Sequence, residues 1–137
     1  MAFDPTSDYP LGARRPDLVT TPGGLPLGDV TLAAAREGAL GPDEIRATPR
    51  TLRLQAEIAR AAGRTQLAEN LERAAELATV PDDLLLEIYT ALRPRRATAQ
   101  ELEEWAAQLD GFEAPTTAAF VREASAAYAE RGLLAHD

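Results

Sequence analysis

From Thr31 onward, apolar residues recur every three or four positions, which is the spacing of amphipathic helices. The repeats Leu84/Ile88/Leu92 and Leu102/Ala106/Leu109 show it clearly, while strand-like alternation and Asn-Gly hairpin signals are missing from the sequence. Over residues 64–79 the pattern predicts one apolar stripe, made of Leu67, Leu71, Ala74, Ala75 and Ala78. The pattern therefore predicts an all-α fold, a small multi-helix domain. The predicted helical segments are about 31–37, 48–63, 64–79, 81–94, 98–111 and 115–131, with a further turn at 42–45.

Start and stop signals mark the ends of these segments. Thr48 followed by Pro49 places an N-cap hydroxyl before a proline whose missing N–H is harmless in the first helical position. Thr98–Glu101 has the spacing of a capping box, in which two side chains satisfy backbone donors reciprocally. Gly63 is expected to end the helix over 48–63 in the left-handed conformation. Gly111 is expected to end the helix over 98–111.

Residues 1–30 differ from the rest because prolines and glycines interrupt them throughout. Proline removes a backbone donor and clashes inside a helix, so no long helix is expected here. Apolar residues are nevertheless scattered through the segment, and Pro22-Gly23 suits a type II turn in which Gly23 supplies a positive φ. We predict an extended, irregular N-terminal arm over 1–30 that lies on another surface, followed by a helical domain over 31–137. A mobile tail is the alternative.

Composition and charge narrow the function classes. The 137 residues suit one domain, cysteine is absent, and neither a membrane-length apolar run nor a secretory signal is seen, which favours the cytoplasm. The net charge of −8 argues against nucleic acids and anionic membranes as partners. All 14 basic residues are arginine, so lysine chemistry is excluded, whereas forked pairing with carboxylates is favoured.

The search for catalytic chemistry gives no candidate. The glycine spacing of Gly23–Gly28 is that of a phosphate loop, but Asp29 and Val30 stand where lysine and a hydroxyl residue are required. His136 is next to the C-terminus and has no partner in a recognisable pattern. Adjacent carboxylates such as Glu103/Glu104 point about 100° apart on a helix and do not converge. We therefore predict no catalytic, cofactor-binding or metal-binding residue on this chain.

Features at the surface are more informative. Tyr89 lies beside the Leu84/Ile88/Leu92 stripe, and with Leu85 it could form a second apolar edge that a monomer would not expose. Arginines at 93, 95 and 96 surround Pro94 at a helix end, where they either cap the helix or contact carboxylates on a partner. Trp105 serves equally well as a core residue or as an interface anchor.

Five blocks of sequence carry a resemblance to a known family. In this order and spacing they resemble the small (gamma) subunit of the adenosylcobalamin-dependent diol and glycerol dehydratases, from about residue 7 to residue 133. The blocks are Ser7–Leu11, Gln55–Ala59, Arg73–Leu77, Tyr89–Pro94 and Ala119–Ala124. The chain departs from the family pattern at Thr90, where asparagine is usual, and at Gly23 and Leu25 in the arm.

The resemblance implies a non-catalytic role in a lyase that converts a 1,2-diol to an aldehyde plus water. In this family the large subunit is a barrel that holds the substrate, and the large and medium subunits together bind adenosylcobalamin. The small subunit packs against the large one, and two trimers associate into a dimer of heterotrimers. What carries over to this chain is assembly alone. The predicted subunit-interface residues are Asp8, Tyr9, Pro10, Leu11, Tyr89 and Arg93.

Some questions stay open at this point. The choice between propane-1,2-diol and glycerol is not readable here, because the resemblance places the substrate pocket on another chain. Some relatives carry a longer N-terminal extension linked to encapsulation in a microcompartment, and the six residues before Ser7 do not indicate it. Two other function classes remain: a free-standing acidic helical adaptor, and a small enzyme that uses carboxylates alone.

Overall fold

Seven α-helices form the framework of the part of the chain that the structure, a computed structural model, describes, residues 1–136. No strand is found within that range, where the only β feature is an isolated bridge between Thr20 and Pro26. The all-α prediction is confirmed. The helices are α1 (Leu11–Arg14), α2 (Leu32–Arg36), α3 (Pro49–Ala61), α4 (Thr65–Leu77), α5 (Asp82–Ala91), α6 (Ala99–Gly111) and α7 (Pro115–Arg131).

The chain divides into two units, Met1–Ala78 and Thr79–Asp137. Residues 1–30 belong to the first unit, together with α2, α3 and α4. The predicted division into an arm over 1–30 and a helical domain over 31–137 is a different boundary, and it stays a prediction about which segment folds independently.

In the first unit, α3 and α4 pack as an antiparallel pair through small side chains. Thr48 caps α3 as predicted, its hydroxyl accepting from the Thr51 N–H at 3.2 Å, and Gly63 turns the chain with φ 74°. The buried contact consists of Ala56, Ala59 and Ala68, with Leu71 packed beside them. The prediction that Leu67 lies on the buried stripe of α4 is wrong: Leu67 is exposed, and its neighbour Ala68 faces α3.

The N-terminal segment has short helical turns and one tight reversal. Besides α1, it contains 3₁₀ turns at Pro16–Leu18 and Leu27–Asp29. The chain reverses after Thr21, whose carbonyl accepts from the Gly24 N–H at 2.9 Å. The residue with positive φ is Gly24, at 90°, so the assignment of that role to Gly23 is wrong.

Gly23 is needed for a different reason. The Thr21 hydroxyl donates to the Glu44 carboxylate, which comes from the 3₁₀ turn Pro42–Ile45. A Cβ atom at Gly23 would lie 2.2 Å from Glu44 Oε1, far inside contact distance. The absence of a side chain at Gly23 thus lets the reversal sit directly against Glu44.

In the second unit, α6 and α7 pack through larger apolar side chains. The capping box at the start of α6 is confirmed, with both Thr98 and Glu101 bonded to backbone N–H groups. Leu102, Leu109 and Val121 are fully buried between these helices. α6 ends at Gly111 as predicted, although the left-handed residue after it is Glu113, with φ 58°. α7 ends in a left-handed Gly132, and the Leu133 N–H returns to the Tyr128 carbonyl at 2.8 Å.

Candidate subunit interface

The predicted interface residues of the N-terminal segment separate into an outward and an inward pair. Tyr9 is 67% exposed and Pro10, joined to it by a cis peptide bond, is also exposed. Leu11 is only 5% exposed and belongs to the core of the chain. Asp8 is half-buried, and its carboxylate accepts from Arg15 Nη1 at 3.0 Å. Only Tyr9 and Pro10 are therefore available to a partner, while Asp8 and Leu11 hold them in place.

Arg15, which the sequence analysis missed, organises this segment. Its guanidinium forks onto Asp17, with Nε–Oδ1 at 3.0 Å and Nη2–Oδ2 at 2.9 Å, and also donates to the carbonyl oxygens of Met1 and Ala2. The hydrogen bond from Arg15 lowers the pKa of Asp17, and the reciprocal bond raises the pKa of Arg15. A buried arginine is stable only with its donors paired, and nothing in the local sequence identified which arginine would be buried.

An open cleft of about 590 Å³ lies between the exposed turn of Tyr9 and Pro10 and the facing ends of α3 and α4. Ile58 and Leu67 line it with apolar side chains, and Arg64 stands at the start of α4. The exposed position of Leu67 is explained by this cleft. The lining is mostly apolar, which suits contact with another protein surface.

On the second unit, the outward face of α5 carries a second apolar surface. Ile88 is buried with Leu84 and Leu92 half-buried beside it, so the predicted stripe does face inward. Tyr89 is 58% exposed and Leu86 is 68% exposed, three residues apart and therefore neighbours on the helix surface. The prediction that Leu85 forms this exposed edge with Tyr89 is wrong, because Leu85 is half-buried. Leu86 is the exposed leucine beside Tyr89.

The end of α5 leads into a turn over Arg93–Arg96, which we call the arginine turn. Arg93, Arg95 and Arg96 are exposed, and among the described residues their side chains form no ion pair or hydrogen bond. The last carbonyl of the helix, that of Leu92, instead accepts from the Tyr128 hydroxyl at 2.5 Å. Among the described residues these arginines make no capping hydrogen bond, while their position just after the C-terminal end of α5 still suits the helix dipole.

The carboxylates examined as catalytic candidates have structural partners. Arg122 binds Glu103 through Nε and Nη2 and reaches Asp110 with Nη2 at 3.0 Å. The hydrogen bond from Arg122 lowers the pKa of Glu103, so this carboxylate is ionised and held rather than poised to accept a proton. Across residues 1–136, no group of three or more His, Asp or Glu side chains is placed to hold a metal ion. In the same range, no helix combines the length and apolar character needed to cross a membrane.

The residues of this chain do not fit a corrinoid cofactor. Neither the cleft beside Tyr9 nor a second cleft beside α5 has a histidine in its lining, and His136 is exposed near the chain end. Both clefts are open to solvent, and most of their lining surface is apolar. We therefore derive no step through cobalamin on this chain.

The comparisons with known proteins give the class of protein to which this fold belongs. Residues 5–135 match the family described as dehydratase small subunit, and the chain belongs to that family. It is 51% identical over 132 residues to the propanediol dehydratase small subunit of Citrobacter freundii, covering 96% of this chain and 77% of that protein. It is 50% identical over 132 residues to the propanediol dehydratase small subunit of Salmonella typhimurium strain LT2, covering 96% of this chain and 76% of the relative. The predicted resemblance is confirmed at the level of a dehydratase small subunit.

Proposed function

We propose that this chain is the non-catalytic small subunit of an adenosylcobalamin-dependent propanediol or glycerol dehydratase. The observation that carries the proposal is the family match over residues 5–135, together with two relatives that share half of their aligned residues and are both named propanediol dehydratase small subunit. The complex would convert a 1,2-diol to an aldehyde plus water, with propane-1,2-diol favoured by the names of the relatives. Adenosylcobalamin would supply the radical chemistry when bound by the other subunits.

The surface of the chain supports a role in assembly. Tyr9 and Leu67 on the first unit and Leu86 and Tyr89 on the second are exposed apolar side chains next to open clefts. Tyrosine and arginine are enriched among residues that dominate the affinity of protein interfaces. We propose that both surfaces are covered in a complex with a large catalytic and a medium subunit, assembled as a dimer of heterotrimers in the cytoplasm.

The experiment is reconstitution from separately purified subunits. The small subunit alone should neither bind cobalamin nor turn over propane-1,2-diol, and the three subunits together should release propionaldehyde when adenosylcobalamin is added. Each pair of subunits serves as a control, and glycerol is tested as a second substrate. Turnover by this chain alone would favour an enzyme that uses its own carboxylates, and a chain that joins neither subunit would favour the free-standing adaptor.

A further inference from the structure

The arginine turn stands out in a chain with net charge −8. Arg15, Arg60 and Arg122 have acidic partners, whereas several single arginines elsewhere on the surface, such as Arg36 and Arg53, have none among the described residues. What distinguishes the turn is that three arginines without an ion pair are clustered in it. Within the described residues, the three arginine side chains of the turn have no such partner. Three unpaired cations within four residues create a local positive surface on an acidic protein.

The turn is held in one shape by the segment that follows α7. The Arg95 N–H donates to the Leu133 carbonyl at 2.7 Å, and the Ala135 N–H donates to the Ala97 carbonyl at 2.9 Å. The Arg96 N–H closes the turn on the Arg93 carbonyl at 3.2 Å. Since the backbone is fixed before any partner binds, less ordering entropy is lost on docking than for a flexible loop.

The backbone of Arg95 gives a separate argument. Its φ of 61° lies in the left-handed region, which glycine adopts without cost and which a long side chain adopts only with strain. Strained residues of this kind are concentrated at binding sites, where the side chain has a use that offsets the strain. Within the described residues, the Arg95 side chain makes no hydrogen bond or ion pair that would offset it.

An apolar cleft adjoins the turn. Leu86, Arg96 and Trp105 line an open space of about 470 Å³ between α5 and α6, and Tyr89 lies exposed on α5 nearby. Two acidic residues also line it. Glu101 is engaged by the Thr98 N–H at 2.8 Å in the capping box, whereas Glu87 lies on α5, about two turns before the arginine turn. Of the arginine turn, Arg96 lines this cleft, and the positive charge of Arg93 and Arg95 lies on the turn outside the lining.

We propose that the arginine turn and the Leu86–Tyr89 edge dock a segment of the large dehydratase subunit that carries carboxylates beside an aliphatic side chain. The carboxylates pair with Arg93, Arg95 and Arg96, and the aliphatic side chain enters the cleft next to Trp105. Forked arginine–carboxylate pairs provide the geometric specificity, and the apolar contact excludes water around them. This inference rests on the proposed function and names the partner chemistry of one of its surfaces.

The absence of lysine from this chain allows a direct test. Arg93→Lys introduces one lysine at the turn, and a carbodiimide then links an amine to a carboxylate that it already contacts. In the three-subunit complex, mass spectrometry should find position 93 joined to an Asp or Glu of the large subunit. Arg53→Lys, on the exposed side of α3, is the matched control and should give no such product. Linkage of position 93 to the medium subunit, or to no subunit, would overturn the proposal.

Affinity measurements provide the second test. Reversing all three charges (Arg93→Glu, Arg95→Glu and Arg96→Glu) should weaken binding to the large subunit by more than about 100-fold, because like charges then face each other. The matched control reverses Arg36, Arg50 and Arg53, which are exposed on the first unit, and should change binding less than about threefold through screened long-range effects. Equal losses in both variants would show that only net charge matters.

Arg95→Gly keeps the test valid if the triple variant fails to fold. It removes one charge and relieves the left-handed strain, so folding is retained while binding should weaken about tenfold. Glu113→Gly relieves the same strain in the same unit and should leave binding unchanged. If the wild-type chain binds and activates the complex and Arg95→Gly binds equally well, this inference is wrong but the proposed function stands. If the wild-type chain does not bind the other subunits, the proposed function is wrong.

Discussion

The two units of the chain are both built on a pair of antiparallel helices, but they fill the space between those helices differently. In the first unit, the buried contact of α3 and α4 is made by Ala56, Ala59 and Ala68. In the second unit, Leu102 and Leu109 of α6 are fully buried with Val121 of α7. Alanine lets two helices approach closely, whereas leucine and valine remove much more apolar surface from water.

The difference teaches where each unit obtains its stability. Burying an alanine contributes only a fraction of the roughly 1.5–3 kcal/mol that a buried leucine contributes. The first unit adds polar contacts that the second does not need in the same number, above all the five-acceptor network of Arg15 and the Thr21–Glu44 pair. Both units leave large apolar residues on their surfaces, such as Leu67 in the first and Leu86 in the second, where a partner can cover them. The second unit thus draws more of its stability from buried apolar side chains, and the first draws more from polar contacts.

Opposite substitutions in the two cores give the largest expected effects. Leu102→Ala should lower the free energy of unfolding by about 2–5 kcal/mol, because it leaves a cavity between α6 and α7. Ala68→Leu should cost about 1–3 kcal/mol, because the added atoms force α3 and α4 apart. Thermal and urea unfolding of the purified chain measure both, with Leu86→Ala on the exposed face as the control. If Ala68→Leu raised the stability, the close packing inferred for the first unit would be incorrect.

Each unit has one exposed tyrosine, Tyr9 in the first and Tyr89 in the second, whose contribution to subunit association can be compared. Tyr89→Ala should weaken association with the large subunit by about 1–3 kcal/mol, as interface anchors do, and Tyr9→Ala should act in the same direction. Neither change should move the unfolding midpoint much, since both side chains are more than half exposed. Phe120→Ala, another partly exposed aromatic, is the control. A loss of about 3–5 kcal/mol in folding with unchanged affinity would instead make Tyr89 a packing residue.

The smallest expected effect is the loss of folding stability at low pH. Hydrogen bonds donated by arginine lower the pKa of two carboxylates: Arg15 donates to Asp17 in the first unit, and Arg122 donates to Glu103 in the second. A carboxylate with a lowered folded pKa stabilises the fold at pH values above its unfolded pKa, and this contribution is lost as the pH falls through the folded value. The thermal unfolding midpoint of the chain should therefore decline below about pH 4.5, because both ion pairs are lost when their carboxylates are protonated.

Arginine removal identifies the source of that decline. In Arg122→Gln, the difference in midpoint from the wild type should shrink toward zero as the pH falls from about 6 to about 3. In Arg15→Gln a difference should persist at low pH, because the carbonyls of Met1 and Ala2 also lose a donor and do not titrate. A pH-independent difference in Arg122→Gln would show that its carboxylate partners do not matter.

The sequence predicted the helices well because their signals are local. Thr48, Thr98 and Pro115 mark helix starts through contacts within a single turn, and each start is observed at the predicted position. The prediction of which residue faces inward failed where two choices differ by one position, as for Leu67 and Ala68 or Leu85 and Leu86. At Leu67 and Ala68 the larger residue was expected inside, but close helix packing selects the smaller one. Leu85 and Leu86 are the same residue type, so only the rotation of α5 about its axis decides which is exposed.

The candidate interface was predictable only in part, for a related reason. Tyr89 lies on α5, so its exposed position could be inferred from helical spacing. Arg93 lies beyond Ala91, the last residue of α5, so the prediction that it shares a helix face with Tyr89 does not hold. The burial of Arg15, and the separation of Asp8 and Leu11 from Tyr9 and Pro10, depend on how an irregular segment folds back on itself. No periodicity governs such a segment, so its contacts require coordinates.

The hydrogen bonds that hold the arginine turn have a consequence for quality control during assembly. The Leu92 carbonyl accepts from Tyr128 near the end of α7, and the Arg95 N–H donates to the Leu133 carbonyl just after that helix. The shape of the turn therefore depends on α7 being folded. A partner that recognises the turn would thereby bind poorly to copies in which α7 is unfolded, and would favour folded copies for incorporation into the complex.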